Sequence, residues 1–159
     1  MFKNFILLCL LSLSTLSAGI KVPVSDLIFK DRLWFYKESN SPFTGTAFEI
    51  SKETGTIIQQ VNYIDGLAWG KYYEWWPNGS KKVHGTYRFG LMYGRWKFYY
   101  ENGKMLCAGS YMNSKGHNST ELIESIPQEG ISGLWTYWNS DGRKICLLYT
   151  SDAADESRG

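Results

Sequence analysis

The feature that most constrains this chain of 159 residues is an internal period of 24 residues. Three tyrosines keep this spacing, and so do two separate sets of glycines: Tyr63, Tyr87 and Tyr111; Gly55, Gly79 and Gly103; Gly70 and Gly94. A repeat of roughly 20–50 residues indicates an array of small units, each too thin to bury a core alone. Such an array favours a binding scaffold over an enzyme built around one pocket.

Each unit has the sequence pattern of a β-hairpin. In the unit that begins at Gly94, aromatic residues at Trp96 and Phe98 alternate with basic residues at Arg95 and Lys97, which is the period of a strand. The pairs Asn78-Gly79, Asn102-Gly103 and Asp141-Gly142 are typical of a two-residue turn with positive φ at both positions.

Further turns at Gly66 and Gly90 would join the hairpins to one another. We therefore predict an all-β fold, an elongated antiparallel meander of hairpins in a single-layer sheet. Gly85 and Gly109 recur at one register inside a strand. Because glycine weakens a strand, this recurrence predicts close backbone approach or a bend between units.

The copies differ in length. The first, from Gly45 to Gly66, reaches its turn at Gly55 one residue later than the others, and Gly94 to Gly133 spans 39 residues instead of 24. The extra fifteen residues lie at about 116–131. We predict a surface loop there, because loops absorb insertions. A single helical turn capped by Ser119 or Thr120 is the alternative.

Residues 1–18 have the pattern of a secretory signal peptide. A lysine near the start precedes a short apolar run and then small residues, with cleavage expected near Ala18 or Gly19. The run is shorter than the ~20 residues of a membrane span, although a retained anchor is the alternative. Gly19 stands where a lipoprotein would carry cysteine. We predict an exported protein, periplasmic, outer-membrane-associated or secreted, and not a lipoprotein.

The last residues break the repeat. Residues 146–159 resemble the translation of a sequencing-library adapter, and Thr150 stands where the next tyrosine is due. We predict a non-native tail at 146–159, with a genuine disordered tail as the alternative. The remainder divides into a lead-in at 19–44 and the hairpin repeats at 45–145.

The units G-x-W-x-x-Y-x-x-N-G-K resemble the variant MORN repeats of bacterial proteins often labelled toxin–antitoxin antitoxins. The segments 32–37 and 42–45 are similar to the lead-in of those proteins, so the resemblance covers Arg32 to Ile145. It implies a hairpin array and a protein partner, with an antitoxin- or immunity-like role. The fifteen-residue insertion departs from the family pattern.

Residues that could carry catalysis or bind a metal are scarce. His84 and His117 are the only histidines and have no metal-site spacing; we expect His84 to be solvated. Cys107 is expected to be a small buried hydrophobe. Residues 19–145 carry a charge near +3 without a concentrated basic stripe, which argues against nucleic acid. We predict no enzyme activity, no cofactor and no metal site.

The aromatic residues are the one feature suited to recognition. Tyr72, Trp96 and Trp135 stand at the second position after each unit's glycine, and Trp75, Tyr99 and Trp138 at the fifth, so the two sets should face opposite sides of the sheet. The rings either brace the sheet or leave one set exposed for a partner. The candidate binding surface is Tyr73, Trp75, Tyr99 and Trp138. The predicted structural positions are Gly45, Gly70, Gly79, Gly94, Gly103, Gly133, Gly142, Trp96, Trp135, Tyr63, Tyr87 and Tyr111.

These observations predict an exported scaffold that binds another protein. A module that binds cell-envelope polysaccharide or lipid headgroups is the alternative.

Overall fold

The computed structural model describes residues 19–115 and 126–150. Strands are the main secondary structure of these residues, and their single helical element is a 3-10 turn at Val24–Asp26. Within the described ranges no helix is long and apolar enough to cross a membrane. The predicted signal peptide, most of the predicted insertion and the end of the predicted tail lie outside the described residues.

Twelve strands are formed in the described part of the chain. In chain order they are β1 Lys21–Pro23, β2 Leu27–Lys30, β3 Leu33–Tyr36, β4 Ser41–Pro42, β5 Gly45–Ile50, β6 Ile57–Ile64, β7 Leu67–Trp75, β8 Lys81–Arg88, β9 Leu91–Tyr99, β10 Met105–Ser114, β11 Ile131–Trp138 and β12 Lys144–Thr150.

The strands build an open mixed sheet of nine strands and a second sheet of three. The larger sheet has the order β1-β5-β6-β7-β8-β9-β10-β11-β12, and the smaller has the order β2-β3-β4. From β5 onward each strand pairs antiparallel with the next, whereas β1 runs parallel to β5. The all-β prediction is confirmed.

The geometry predicted for the turns at the Asn-Gly pairs is wrong. Gly79 and Gly103 have positive φ, but neither asparagine does. At the first pair, Trp76 N–H donates to the Ser80 carbonyl at 2.8 Å and Gly79 N–H donates to the Trp76 carbonyl at 2.8 Å. This is a three-residue loop with glycine in the left-handed position, which shifts the strand register by a bulge. The loops at 101–103 and 140–142 have the same two bonds.

Two-residue turns with positive φ at both positions occur at the other end of the sheet. Asp65-Gly66 joins β6 to β7 and Phe89-Gly90 joins β8 to β9. Their twist matches that of the flanking strands. The extra residue of the first copy lies in its hairpin loop. Gly55 N–H donates to the Ser51 carbonyl at 2.9 Å, so the loop spans four residues, 52–55, instead of three.

The core lies on one face of the nine-stranded sheet and is a connected row of aromatic rings. Centroid distances between neighbouring rings run from 5.0 to 6.1 Å along Tyr72, Tyr87, Trp96, Tyr111 and Trp135. Trp96 and Trp135 are fully buried. Gly85 and Gly109 lie directly beneath these indoles, so the close approach at the two glycines is that of an aromatic side chain.

The described end of the insertion packs against this core. Ile126 is buried, and the Tyr111 hydroxyl donates to the Pro127 carbonyl at 2.7 Å. Ile131 already begins β11, opposite Tyr111. The described part of the insertion, 126–130, is a loop in which Gln128 and Glu129 are exposed and Ile126 is buried against the sheet.

Candidate binding surfaces

The two sets of aromatic residues differ in burial. Tyr72, Trp96 and Trp135 are 3%, 0% and 0% exposed, and they point into the core. Trp75, Tyr99 and Trp138 are half-buried and point to the opposite, outer face. This difference follows from the alternation of side chains along a strand. Of these two sets, the outer one is therefore the set whose rings a partner can reach.

On the outer face the candidate residues divide into one stack and two separate rings. The Tyr73 ring lies between Trp75, at a centroid distance of 5.7 Å, and His84, at 4.9 Å with the planes 9° apart. Tyr99 lies on β9 and Trp138 on β11, so each is two strands from the previous candidate. Strand spacing puts alternate strands about 10 Å apart. The structure thus places all four on one face at the same end of their strands.

His84 lies on the outer face, as the sequence predicts, and it keeps part of its contact with solvent. It is half-buried under Tyr73, its partner across the β7–β8 ladder. Burial lowers the pKa of His84, and the positive charges of Lys97, Lys81 and Lys71 lower it further. Three lysine charges on the same face of the sheet therefore disfavour protonation of one imidazole.

These lysines and Arg95 form what we call the basic outer face: Lys71, Lys81, Arg95 and Lys97. Lys97 is half-buried and the other three are exposed. Within the described ranges the ion pairs are Lys82–Glu74 and Lys115–Glu129, so the face has no carboxylate partner there. The sequence could not separate these residues from the chain's dispersed charge, because their common face depends on the strand register.

The inner face contains a buried polar network that the sequence did not indicate. Gln59 Nε2 donates to the Tyr72 hydroxyl at 3.0 Å, and that hydroxyl donates to Glu74 Oε2 at 3.0 Å. Lys82 Nζ lies 2.7 Å from Glu74 Oε1 and 4.9 Å from the Trp76 ring centroid. Both charged groups are nearly buried, and the pair is satisfied. A register shift at Glu74 brings Lys82 to this face.

Side chains tie the three-residue loops to one another along one end of the sheet. The Asn78 amide donates to the Glu101 carbonyl at 3.1 Å, and the Asn102 amide donates to the Ser140 carbonyl at 2.9 Å. Trp76 Nε1 and the Tyr100 hydroxyl make similar bonds to the residues that precede the next loop, Tyr99 and Trp138. These bonds fix the spacing of the strands that carry the candidate aromatic residues.

A groove lies between the two sheets on the core side. It has a volume of about 700 Å³ and is lined by Phe29 and Trp34 from the smaller sheet and by Tyr63, Tyr87 and Phe89 from the larger. Among the described residues, 19–115 and 126–150, the charged ones that line it are Arg32 and Lys115. We call it the aromatic groove.

Comparison with known protein families, with curated proteins and with solved structures gives no match for this chain. Among residues 19–115 and 126–150, no group of three or more His, Cys, Asp or Glu side chains could hold a metal ion.

Proposed function

We propose that this chain is an exported, MORN-like repeat scaffold whose basic outer face binds an acidic surface of a protein partner. In this proposal the 24-residue period builds a single-layer meander of hairpins, and the partner lies across the strands on the outer side. An antitoxin- or immunity-like role is the form of protein binding that the MORN resemblance implies.

The observation that carries the proposal is a set of cations around an aromatic stack that have no ion pair with any carboxylate in residues 19–115 and 126–150. Lys71, Lys81 and Lys97 surround His84 closely enough to lower its pKa together with burial. Their mutual repulsion is relieved when a negative surface approaches, and uniform charge also steers association with an acidic partner. Cations without a carboxylate partner favour a ligand that supplies one.

The aromatic residues contribute contact area beside these charges. Trp75, Tyr99 and Trp138 present partly exposed rings in a row across alternate strands. Aromatic and arginine side chains are the residue types that most often dominate protein interfaces. A partner that spans the row would bury aromatic area at its centre and pair its carboxylates with Lys71 and Lys97.

The experiment captures partners from an envelope extract with the immobilised protein, followed by reconstitution with the purified candidate. We expect Tyr99→Ala and the double variant Lys71→Glu, Lys97→Glu to lose capture without a change in melting temperature. Lys52→Glu is the control, because Lys52 is an exposed lysine in the loop 52–55, outside the face. Equal capture by wild type and both face variants would rule the proposal out.

A second candidate function is binding of an anionic cell-envelope polymer, either polysaccharide or lipid headgroups. The uniformly positive charge of the basic outer face favours this candidate, because a polymer with a high density of negative charge can bind such a face without shape complementarity. Sedimentation with purified cell wall and with anionic liposomes distinguishes the two candidates. Binding to either one that is lost in the double lysine variant, with no protein captured, supports the polymer.

A further inference from the structure

We propose a second binding site, independent of the outer face: the aromatic groove binds an amphipathic carboxylate whose apolar body is an acyl chain. The site lies on the core side of the sheet, so it shares no residue with the basic outer face. The volume of the groove, the residues that line it, its charge and the main-chain bonds of its strands together indicate the chemical class of the ligand.

The groove is preformed because main-chain bonds join the two sheets at its floor. Trp34 N–H donates to the Gly66 carbonyl at 2.9 Å, and Gly66 N–H donates to the Phe43 carbonyl at 2.9 Å. A Cβ on Gly66 would lie 2.8 Å from the Trp34 carbonyl oxygen, so glycine is required for this approach. The volume of about 700 Å³ falls within the ~300–1,000 Å³ of small-molecule sites.

Two exposed aromatic residues stand at the rim of the groove. Phe89 is 60% exposed, with its ring 4.7 Å from that of Trp69 and 5.7 Å from the guanidinium of Arg88. Phe29 on the facing sheet is 57% exposed, and its ring lies 5.2 Å from that of Trp34. Exposed apolar rings at a concave site favour a ligand with an apolar body.

The charge of the groove selects the head group of the ligand. Among residues 19–115 and 126–150, the charged residues that line it are Arg32 and Lys115, and both are cations. Lys115 forms a loose ion pair, 3.9 Å from Glu129 with both side chains largely exposed, so a ligand carboxylate can compete for it. The guanidinium of Arg32 matches a carboxylate in a two-bond geometry.

On the larger sheet, main-chain bonding argues for an acyl chain over a peptide, whereas β2, which carries Phe29, is an edge strand of the smaller sheet. The lining strands β6 and β7 each have a hydrogen-bonded neighbour on both sides. Gly90 N–H at the rim already donates to the Ala68 carbonyl at 2.9 Å. An extended peptide would find no free ladder of main-chain groups along these strands, whereas an acyl chain needs only apolar walls such as Leu67 and Leu91.

The test titrates the whole protein with dodecanoate, followed by calorimetry and tryptophan fluorescence. We expect saturable one-to-one binding, weakened about tenfold by Arg32→Gln, the order of one charge-assisted contact. Dodecanol, which lacks the charge, should bind more weakly than dodecanoate. Phe89→Ala should also weaken binding, and Lys52→Gln and Ile50→Ala are the charge and apolar controls.

Three outcomes would overturn the proposal. The first is absence of saturable dodecanoate binding to a folded wild type, including the case in which a short acidic apolar peptide binds instead. The second is equal affinity for dodecanol and dodecanoate. The third is wild-type affinity in both Arg32→Gln and Phe89→Ala, with melting temperatures showing that the variants are folded.

Discussion

The indole of Trp96 covers the backbone of Gly85 so closely that a Cβ on the glycine would lie 2.1 Å from Cδ2 of the ring. Trp135 and Gly109 have the same relationship on the next strands. At the preceding hairpin the smaller ring of Tyr72 stands opposite Val61 on the β6–β7 ladder. Each large indole therefore lies over a glycine, whereas the smaller Tyr72 ring lies opposite a valine.

Replacing Gly85 by alanine should destabilise the protein by ~1–3 kcal/mol, the usual cost of overpacking a core. Urea unfolding measures the change. Because removal of the indole makes room for the new methyl group, the double variant Gly85→Ala, Trp96→Leu should cost less than the sum of its single changes. Strict additivity of the two costs would contradict the close contact.

Replacing Lys82 by methionine should cost ~3–5 kcal/mol, because it leaves the carboxylate of Glu74 buried without its partner. Both side chains are only 13% and 10% exposed. The matched double variant Lys82→Met, Glu74→Gln should recover much of this loss in free energy of unfolding. If the single variant unfolds at the wild-type urea concentration, Glu74 is better solvated than the structure shows.

The stability of the protein should decrease as the pH falls below about 6.5. The pKa of His84 is lowered in the fold from its ordinary value of 6.5 by burial and then by Lys97, Lys81 and Lys71. The unfolded chain therefore takes up the proton first, so the stabilising effect is present above pH 6.5 and is lost on acidification. His84→Gln should flatten this part of the pH–stability curve, and an unchanged slope would refute the assignment.

Cys107 should resist thiol reagents in the folded protein. It is fully buried, and burial raises the pKa of its thiol to about 12, so little thiolate is present to react. In the variant Cys9→Ser, Cys146→Ser, Cys107 is the single thiol. Its reaction with DTNB should follow unfolding in urea. Rapid reaction in buffer alone would show that the strand opens locally.

Asn102→Asp should destabilise by ~1 kcal/mol, the typical net worth of one hydrogen bond. The aspartate keeps the oxygen that accepts from Lys104 N–H at 3.0 Å but loses the donor to the Ser140 carbonyl. Asn139→Asp serves as a control, because Asn139 uses only its side-chain oxygen in the bonds to Asp141 and Arg143. An equal effect of the two changes would show that the amide donor of Asn102 is unimportant.

Periodicity allowed the strands and their hairpin partners to be predicted, because alternation and turn residues are local properties. The turn geometry was predicted wrongly because Asn-Gly fits two types of hairpin loop. In the three-residue loop that forms, Asn78 Oδ1 accepts from Ser80 N–H at 2.8 Å. The position of Lys82 was missed for another reason: it reaches Glu74 because a bulge shifts the register.

The candidate surfaces were predictable only in part. The outer position of Trp75 and Tyr99 follows from strand alternation. The grouping of Lys71, Lys81 and Lys97 around one histidine depends on pairing across three strands. The aromatic groove was not predicted at all, since it is formed between Trp34 in the lead-in and Phe89 at a turn far along the chain.

Strand β10 ends at Ser114 and β11 begins at Ile131, yet the two strands pair as direct neighbours, with Tyr111 opposite Ile131. The pairing of β10 with β11 therefore does not require a short connection between them. Loop closure becomes more costly by only about 0.6 kcal/mol for each doubling of loop length. This connection is therefore the place where evolution or an engineer can change chain length, or insert a peptide tag, while the sheet keeps its pairing.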